Sequence, residues 1–495
     1  MNFAEVIEGH PPAADALVSR GQTTSYGALN DQVGRLRGAL HELGIGKDDR
    51  VALLCGNSPY FVVSYFACLG LGAVVVPLNP ACPAFELQRE LQVVGARAVV
   101  VEPTAVSAWQ EIDRGAVPLL TTVIATDGHD IDGALNLSSL LDHSPMPISS
   151  VEPHQLAILM FTSGTAGAPK AAMLSHQNLI SNLRQLGSFA LVNANDVVFG
   201  VLPLFHIFGL NVVLGFTMSV GASVVLVERF DPITALETFA KRKVTVVPGA
   251  PQIWSAFALL PGLTAESFAG IRIALTGAAK MPEHITRLFQ DRFGLDIYEG
   301  YGLTEASPVV SMSVGHEFKA GSVGRVLPGV EVRLVDENGE DSLSGDAGEL
   351  WVRGDNIFMG YLDDPETTSR VLTSDGWLRT GDIAVVDDQG YAFIVDRMKD
   401  LIIVSGFNVY PAEVEAVLNS HPQISAAAVV GVDHPHTGEA VRAFIVPVPG
   451  VHLDEDVIIE FCQRHLARYK CPSKVLIVES LPLGATGKVL RRQLH

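Results

Sequence analysis

Apolar residues along the chain follow two rhythms, a helical spacing of three and four residues and short unbroken runs, and the two alternate through most of its length. Ser25 opens a predicted helix with apolar residues at Val33, Leu36, Leu40 and Leu43; Gly44 stops it, and the strand Val51–Leu54 follows. Further short buried strands are predicted at 74–76, 98–101, 223–227, 244–247 and 271–275, with helical stretches between them. β-Branched runs separated by helices indicate a mostly parallel sheet covered on both faces. Two longer apolar stretches, 61–78 and 207–227, approach membrane-spanning length. Gly70, Gly72 and Pro77 interrupt the first and Asn211 and Gly221 the second, so each predicts a buried helix followed by a buried strand.

From about Gly321 the texture becomes β-rich. Val332–Val335 runs into the turn Asp336-Glu-Asn-Gly339, and Leu350–Val352 precedes Gly354. Beyond Arg397, helix and strand patterns mix again over a stretch long enough for a separate domain. The predicted fold class is α/β. A large N-terminal domain of layered α/β sheets (1–396) carries a β-rich subdomain at about 321–396, and a small mobile α+β C-terminal domain spans 397–495. At 495 residues the chain exceeds what one core supports, which agrees with this division.

Charge and cysteines narrow the partners. With 34 basic against 54 acidic residues the formal charge is −20, and no Lys/Arg stripe stands out, which argues against nucleic acid. Any anion site must be built from a few chosen residues. Cys55, Cys68, Cys82, Cys462 and Cys471 show no C-x-x-C spacing and read as buried thiols of a reducing compartment. No signal peptide is evident, so a cytoplasmic location is expected, with no transmembrane segment. Transient peripheral contact with a membrane stays open, though the negative charge lends it no support. Monomer and homodimer stay equally open.

The chemistry concentrates first in Phe161-Thr-Ser-Gly-Thr-Ala-Gly-Ala-Pro-Lys170. Glycine-freed N–H groups, hydroxyls and a lysine are what phosphate oxygens need. The segment does not fit the P-loop pattern: Gly164 and Gly167 stand three apart, Ala171 follows the lysine, and Lys170–Leu174 reads as a strand. With Leu156–Phe161 before it and Ser175 as the N-cap of a helix after it, the segment predicts the tip of a hairpin. Further along, Tyr298-Glu-Gly-Tyr301-Gly-Leu-Thr304-Glu305 joins an aromatic face, a hydroxyl and a carboxylate. Asp375-Gly-Trp-Leu-Arg-Thr-Gly-Asp382, Asp396-Arg397-Met-Lys399-Asp400 and Gly484-Ala-Thr-Gly-Lys488 follow in that order.

In identity, order and approximate spacing these segments resemble the adenylate-forming superfamily of acyl-CoA synthetases, adenylation domains and luciferases, over essentially the whole chain. Asp375–Ile383 with Asp396-Arg397 is most similar to the medium- and long-chain fatty acyl-CoA synthetases, although Ala384–Gln389 follows that signature loosely. The resemblance implies an acid–thiol ligase. A carboxylate attacks the α-phosphate of ATP to give acyl-adenylate and pyrophosphate, and coenzyme A then takes the acyl group and releases AMP.

It also implies roles for residues. Thr162, Ser163, Gly164, Thr165, Gly167 and Lys170 would hold the leaving phosphates, with Ala166 standing where a hydroxyl is usual. Gly277, Ala278, Ala279, Glu299, Gly300, Tyr301 and Gly302 would line the nucleotide, with Tyr301 stacked on adenine. Thr304 would contact the α-phosphate, Glu305 with Thr165 would hold magnesium, Asp382 would take the ribose hydroxyls, and Arg397 would touch the nucleotide from the domain junction. Lys488 would stabilise the charge that builds up on attack at phosphorus. A solvated lysine in a basic tail with Arg491 and Arg492 is the bland alternative. Lys399 sits at the hinge position, and Ser405, Gly406, Phe407 and Asn408 would line the coenzyme A path. His206, Ile207, Gly209, Thr276, Gly277 and Gly302 would border the acyl pocket, with His206 beside the carboxylate; a purely structural histidine is the alternative. The best match is a medium- or long-chain fatty acid, while an aryl acid also fits. Transfer to a carrier-protein phosphopantetheine and a non-catalytic paralogue are the remaining alternatives.

Overall fold

A computed structural model describes residues 1–126, 131–162, 170–336, 338–343, 345–397, 400–404, 407–434, 438–484 and 488–494. Two large sheets lie at its centre. The first has seven strands in the order 135–136, 122–125, 98–101, 50–54, 74–78, 156–162 and 170–175, parallel except for the last pair. The second has nine, ordered 325–326, 309–312, 297–302, 273–276, 246–249, 197–200, 223–226, 15–19 and 22–25, with a parallel middle. Alternation along each strand assigns its two faces to different cores. Val51 and Leu53 join Leu17, Val224 and Val246 in the main core between the sheets, whereas Ala52 and Leu54 join Val99 and Val101 in a second core outside the first sheet.

The apolar stretch at 61–78 is the buried helix Pro59–Leu71 and the strand Val74–Leu78, and every residue from Phe61 to Leu71 is buried. Its ends are sealed locally: Ser58 Oγ accepts from Phe61 N at 3.1 Å, and Gly72 takes the left-handed conformation (φ +75°) that stops the helix. The stretch at 207–227 departs from the expected regular helix. Phe208–Gly215 is a π-helix, continued by the α-helical turn Phe216–Ser219 and the strand Ser223–Leu226. Gly209 sets this geometry, since a Cβ there would stand 2.1 Å from the carbonyl oxygen of Pro203. Among the described residues no helix is long and apolar enough to cross a membrane. Cys55, Cys68 and Cys462 are buried thiols as expected, while Cys82 and Cys471 are only half-buried.

The β-rich texture resolves into an antiparallel sheet of strands Glu331–Val335, Gly348–Arg353, Leu378–Val386 and Ala392–Arg397. Arg325–Val326, read as part of that segment, instead closes the edge of the nine-stranded sheet. The C-terminal region forms a fourth sheet, ordered 407–409, 402–404, 438–447 and 424–434, with 474–477 added to 438–447. The helices Pro411–Asn419 and Glu455–His465 cover it, and Val414, Leu418, Val429, Val441, Ile458 and Cys462 make a core of its own. A large N-terminal domain of several sheets and a small C-terminal domain is therefore the fold.

Candidate active site

The phosphate-type segment is carried by a hairpin. Leu156–Thr162 and Lys170–Ser175 pair antiparallel, with Thr162 opposite Lys170. Ser175 caps the following helix: its Oγ accepts from Asn178 N at 3.1 Å, and Asn178 Oδ1 accepts from Ser175 N at 2.9 Å. The tip, with Ser163, Gly164, Thr165 and Gly167, lies outside the described residues. Lys170 is held at its base. Its Nζ donates to Thr367 Oγ1 at 3.0 Å, stands 3.8 Å from Asp364 Oδ2 and lies 5.7 Å from the centre of the Tyr361 ring.

Tyr361 joins this hairpin to the next motif. Residues 359–362 run along its outer strand through bonds from Met173 N to Gly360 O, Met359 N to Met173 O and Leu362 N to Ala171 O, each 2.9 Å. The Tyr361 phenol donates to Glu305 Oε1 at 2.6 Å, and Phe358 N donates to the Glu305 carbonyl. Burial first, and then the charge of Glu305, hold that phenol protonated and hence a donor. Lys170, Tyr361 and Glu305 thus stand in line, with Thr304 half-buried beside them. Tyr361 was not marked by the sequence, because its pairing depends on the register of 359–362 against a hairpin far away in the chain.

A second junction links two sheets. Tyr301, on the strand Ile297–Gly302, donates its phenol proton to Asp382 Oδ2 at 2.5 Å. Asp382 is 2 % exposed and pairs through the backbone with Arg397, whose side chain lies outside the described residues. The residues expected at adenine, ribose and the domain junction therefore meet at one place.

The third group concerns the acyl side. His206 precedes the π-helix, and its Nδ1 accepts from Phe208 N at 3.3 Å, which assigns the proton to Nε2. Burial, and secondarily the positive charge of Lys488, push its pKa down to about 4, so the imidazole is neutral at neutral pH and offers an N–H donor. Lys488, in the C-terminal tail, thus lies within electrostatic reach of His206. The tail turns tightly there, with Gly484 N donating to Lys488 O at 2.7 Å and Leu490 N to Pro482 O at 2.8 Å. Ile207, expected at the acyl pocket, is 1 % exposed in the main core. Its neighbour Phe208 faces Gly277, where an added Cβ would meet the ring at 3.1 Å.

An apolar cavity lies nearby in the chain's fold, lined in part by Val212, Phe216, Val246, Pro248, Leu275 and Met312. Leu275 is on the strand Ile273–Thr276, which ends just before Gly277, and Met312 is the cross-strand partner of Gly300. Gly302, expected at the acyl pocket and the nucleotide, packs closely against the backbone of Pro308. A Cβ there would stand 2.1 Å from Pro308 O, so glycine permits backbone contact rather than lengthening a pocket. Thr276 is fully buried and its Oγ1 has no partner.

Ala278 takes a left-handed conformation (φ +69°), an uncommon one for a residue with a Cβ, at the start of the loop that leads to Met281. Glu299 ties this loop down, accepting from Met281 N at 3.3 Å. It is 8 % exposed, and burial raises its carboxyl to about 7. Because the folded value lies above the unfolded one, its stabilising contribution is complete below about pH 4.5 and lost as pH rises through about 7. Glu299→Gln is therefore expected to gain thermal stability relative to the parent as pH rises from about 5 to 8. Melting curves across that range check it; a difference independent of pH would contradict the assignment.

Ser405 and Gly406 at the expected coenzyme A path and Lys399 at the expected hinge lie outside the described residues. Phe407 and Asn408 are described in backbone only, as part of the strand Phe407–Val409.

A large domain of several sheets followed by a small C-terminal domain is the architecture of the adenylate-forming enzymes. Residues 3–362 match the family model of the AMP-binding enzymes, and 413–488 match that of the AMP-binding enzyme C-terminal domain. The chain belongs to the AMP-binding enzyme family, among the acyl-CoA synthetases of the adenylate-forming superfamily. It is 36% identical over 489 residues to 4-coumarate--CoA ligase 3 of Oryza sativa subsp. japonica, covering 96% of this chain and 87% of that one. Among solved structures, ATP-bound MatB from Rhodopseudomonas palustris superposes with a TM-score of 0.93 at 31% identity, covering 100% of this chain and 98% of that one. The apo form of that protein gives 0.81 at 32% identity, with the same coverage. The anthranilate CoA ligase AuaEII in complex with anthranoyl-AMP gives 0.93 at 26% identity, covering 100% and 96%.

Proposed function

We propose that this enzyme activates an aryl carboxylic acid with ATP to an acyl-adenylate, releasing pyrophosphate, and then transfers the acyl group to coenzyme A, releasing AMP. The observation that carries the reading is the pair of tyrosine–carboxylate bonds, Tyr301 to Asp382 and Tyr361 to Glu305, with Lys488 close enough for its charge to act on buried His206. Neutral His206 orients the substrate carboxylate through Nε2–H, and Tyr301 and Asp382 take adenine and ribose. Lys488 offsets the negative charge that develops at the α-phosphate as the carboxylate oxygen attacks. Glu305, a hard carboxylate donor steadied by Tyr361, fits a magnesium ion, which is commonly held by one or two carboxylates together with substrate phosphates. Such an ion, when bound, neutralises phosphate charge. For the second half, the border between domains falls at 396/397, Lys399 is the hinge, and Ser405–Asn408 line the thiol's approach.

The aryl reading replaces the medium- or long-chain fatty acid first expected. It is supported by a relative named for 4-coumarate and a structural neighbour named for anthranilate. The apolar cavity lined by Leu275 and Met312 favours one second reading, an acid whose far end is an alkyl group. A panel of benzoic, cinnamic and straight-chain acids assayed for AMP and acyl-CoA decides between them. Aryl acids are expected to give the highest kcat/KM. Preference for straight-chain acids would favour the second reading, and ADP with phosphate as products would overturn both.

A further inference from the structure

Arg491 lies three residues beyond Lys488, in a tail whose sequence suggests a solvated basic end. Its side chain is only 25% exposed and stands at a junction of four segments. Nη1 donates to Asp400 Oδ2 at 2.9 Å, and Nη2 donates to both oxygens of Glu415 at 2.7 and 2.8 Å. Glu415 is 17% exposed, belongs to the helix Pro411–Asn419 and accepts a further bond from Val429 N. Asp396, 6 % exposed, stands near enough for its charge to act on both Arg491 and Glu415. Asp396 also accepts from Ala412 N at 2.8 Å, in the first turn of that same helix. One guanidinium therefore binds two carboxylates and stands in the field of a third, and Asp396 and Asp400 flank residues 398–399 in the chain.

We propose that Arg491 is a positioning residue, which ties the segment bearing Lys488 to Asp400 and to the Glu415 helix on one side of the hinge, faces Asp396 on the other, and latches the C-terminal domain in the arrangement used for adenylation. The inference rests on the reading of Lys488 as the adenylation lysine and of 399 as the pivot. Rotation about 399 carries Asp400, Glu415 and Arg491 together as one body and leaves Asp396 behind on the strand Ala392–Arg397. In the present arrangement three carboxylates crowd one cation; after rotation two remain with it. Arg491 therefore stabilises the present arrangement more than the rotated one, and its loss exposes the repulsion of Asp396 against Asp400 and Glu415. The closer superposition on the ATP-bound form of MatB than on its apo form agrees with an arrangement suited to the first half-reaction.

The test compares Arg491→Gln, Arg491→Lys, the double variant Arg491→Gln/Asp396→Asn and Lys488→Ala in the full-length enzyme. Acid-dependent ATP–pyrophosphate exchange reads the first half-reaction, and thioester formation from supplied acyl-adenylate and coenzyme A reads the second. Arg491→Gln is expected to lower exchange by about 10- to 100-fold while the second half stays within about 3-fold, the scale of losing a charged hydrogen bond. Arg491→Lys should recover part of the exchange. Adding Asp396→Asn to Arg491→Gln should also recover part of it, because it removes the repelling charge on the stationary side yet keeps an acceptor for Ala412 N. If Lys488→Ala loses exchange but Arg491→Gln is unaffected, or loses both halves equally with no recovery in the other two variants, the latch is overturned alone. If Lys488→Ala retains exchange, the reading of Lys488 on which the latch rests falls as well.

Discussion

Lys488→Ala is expected to lower acid-dependent ATP–pyrophosphate exchange by about 10²- to 10³-fold, the scale of removing one preorganised charge stabiliser from a transition state. Conversion of supplied acyl-adenylate to thioester should remain within about 3-fold, because the thiol attacks the acyl carbon and no bond forms at phosphorus. The lysine stands at a tight turn of the small domain and acts on His206 of the large one, so its effect belongs to one domain arrangement. A secondary signature follows from the same electrostatic effect. Without the nearby cation the pKa of His206 should rise, though burial, the larger cause, keeps it below its ordinary value. Proton-detected titration of the imidazole would report that rise, and equal loss of both half-reactions would contradict the assignment of Lys488.

Asp382→Ala should act on nucleotide binding instead. It removes a buried carboxylate expected to take the ribose hydroxyls and leaves the Tyr301 phenol without this acceptor. Charge-assisted hydrogen bonds are each worth roughly 1.5–3 kcal/mol, so the KM for ATP should rise about 10- to 100-fold with a smaller change in kcat. Asp382→Asn retains an oxygen for Tyr301 and should fall between the two. Tyr301→Phe separates orientation from direct contact: if it matches Asp382→Ala, the aspartate acts only by way of the tyrosine. Exchange assays at graded ATP concentrations supply all three values.

Much of the fold could be read from the chain because its elements carry local signals. Ser58-Pro59 opens and Gly72 closes an all-apolar helix, and Ser175 with Asn178 caps another at the predicted place. The hairpin was legible for the same reason, two apolar strands around a glycine- and hydroxyl-rich tip. The π-helix at Phe208–Gly215 was not, since its cause is a close approach of Gly209 to Pro203 that spacing alone does not reveal. At the site, motif residues such as Tyr301, Asp382 and Lys488 could be named from resemblance, but their partners could not. Tyr361 reaches Glu305 only after a third segment settles against the hairpin, and Arg491 looked like one of several tail cations until folding surrounded it with acids. The acyl pocket was the least legible, because the relevant surfaces of Phe208, Gly277 and Met312 come from separate elements.

The bonds between residues 359–362 and Ala171–Met173 also bear on the solubility of the protein. Lys170–Ser175 is the last strand of the seven-stranded sheet, and a bare edge of alternating N–H and C=O groups is a template for strands of other molecules. Here the Met359–Leu362 segment occupies that template from within the same chain, through three backbone bonds. The segment that presents Tyr361 to Glu305 thus also guards against cross-molecular pairing. Proline substitution at Gly360 or Leu362 would endanger colloidal stability as well as turnover.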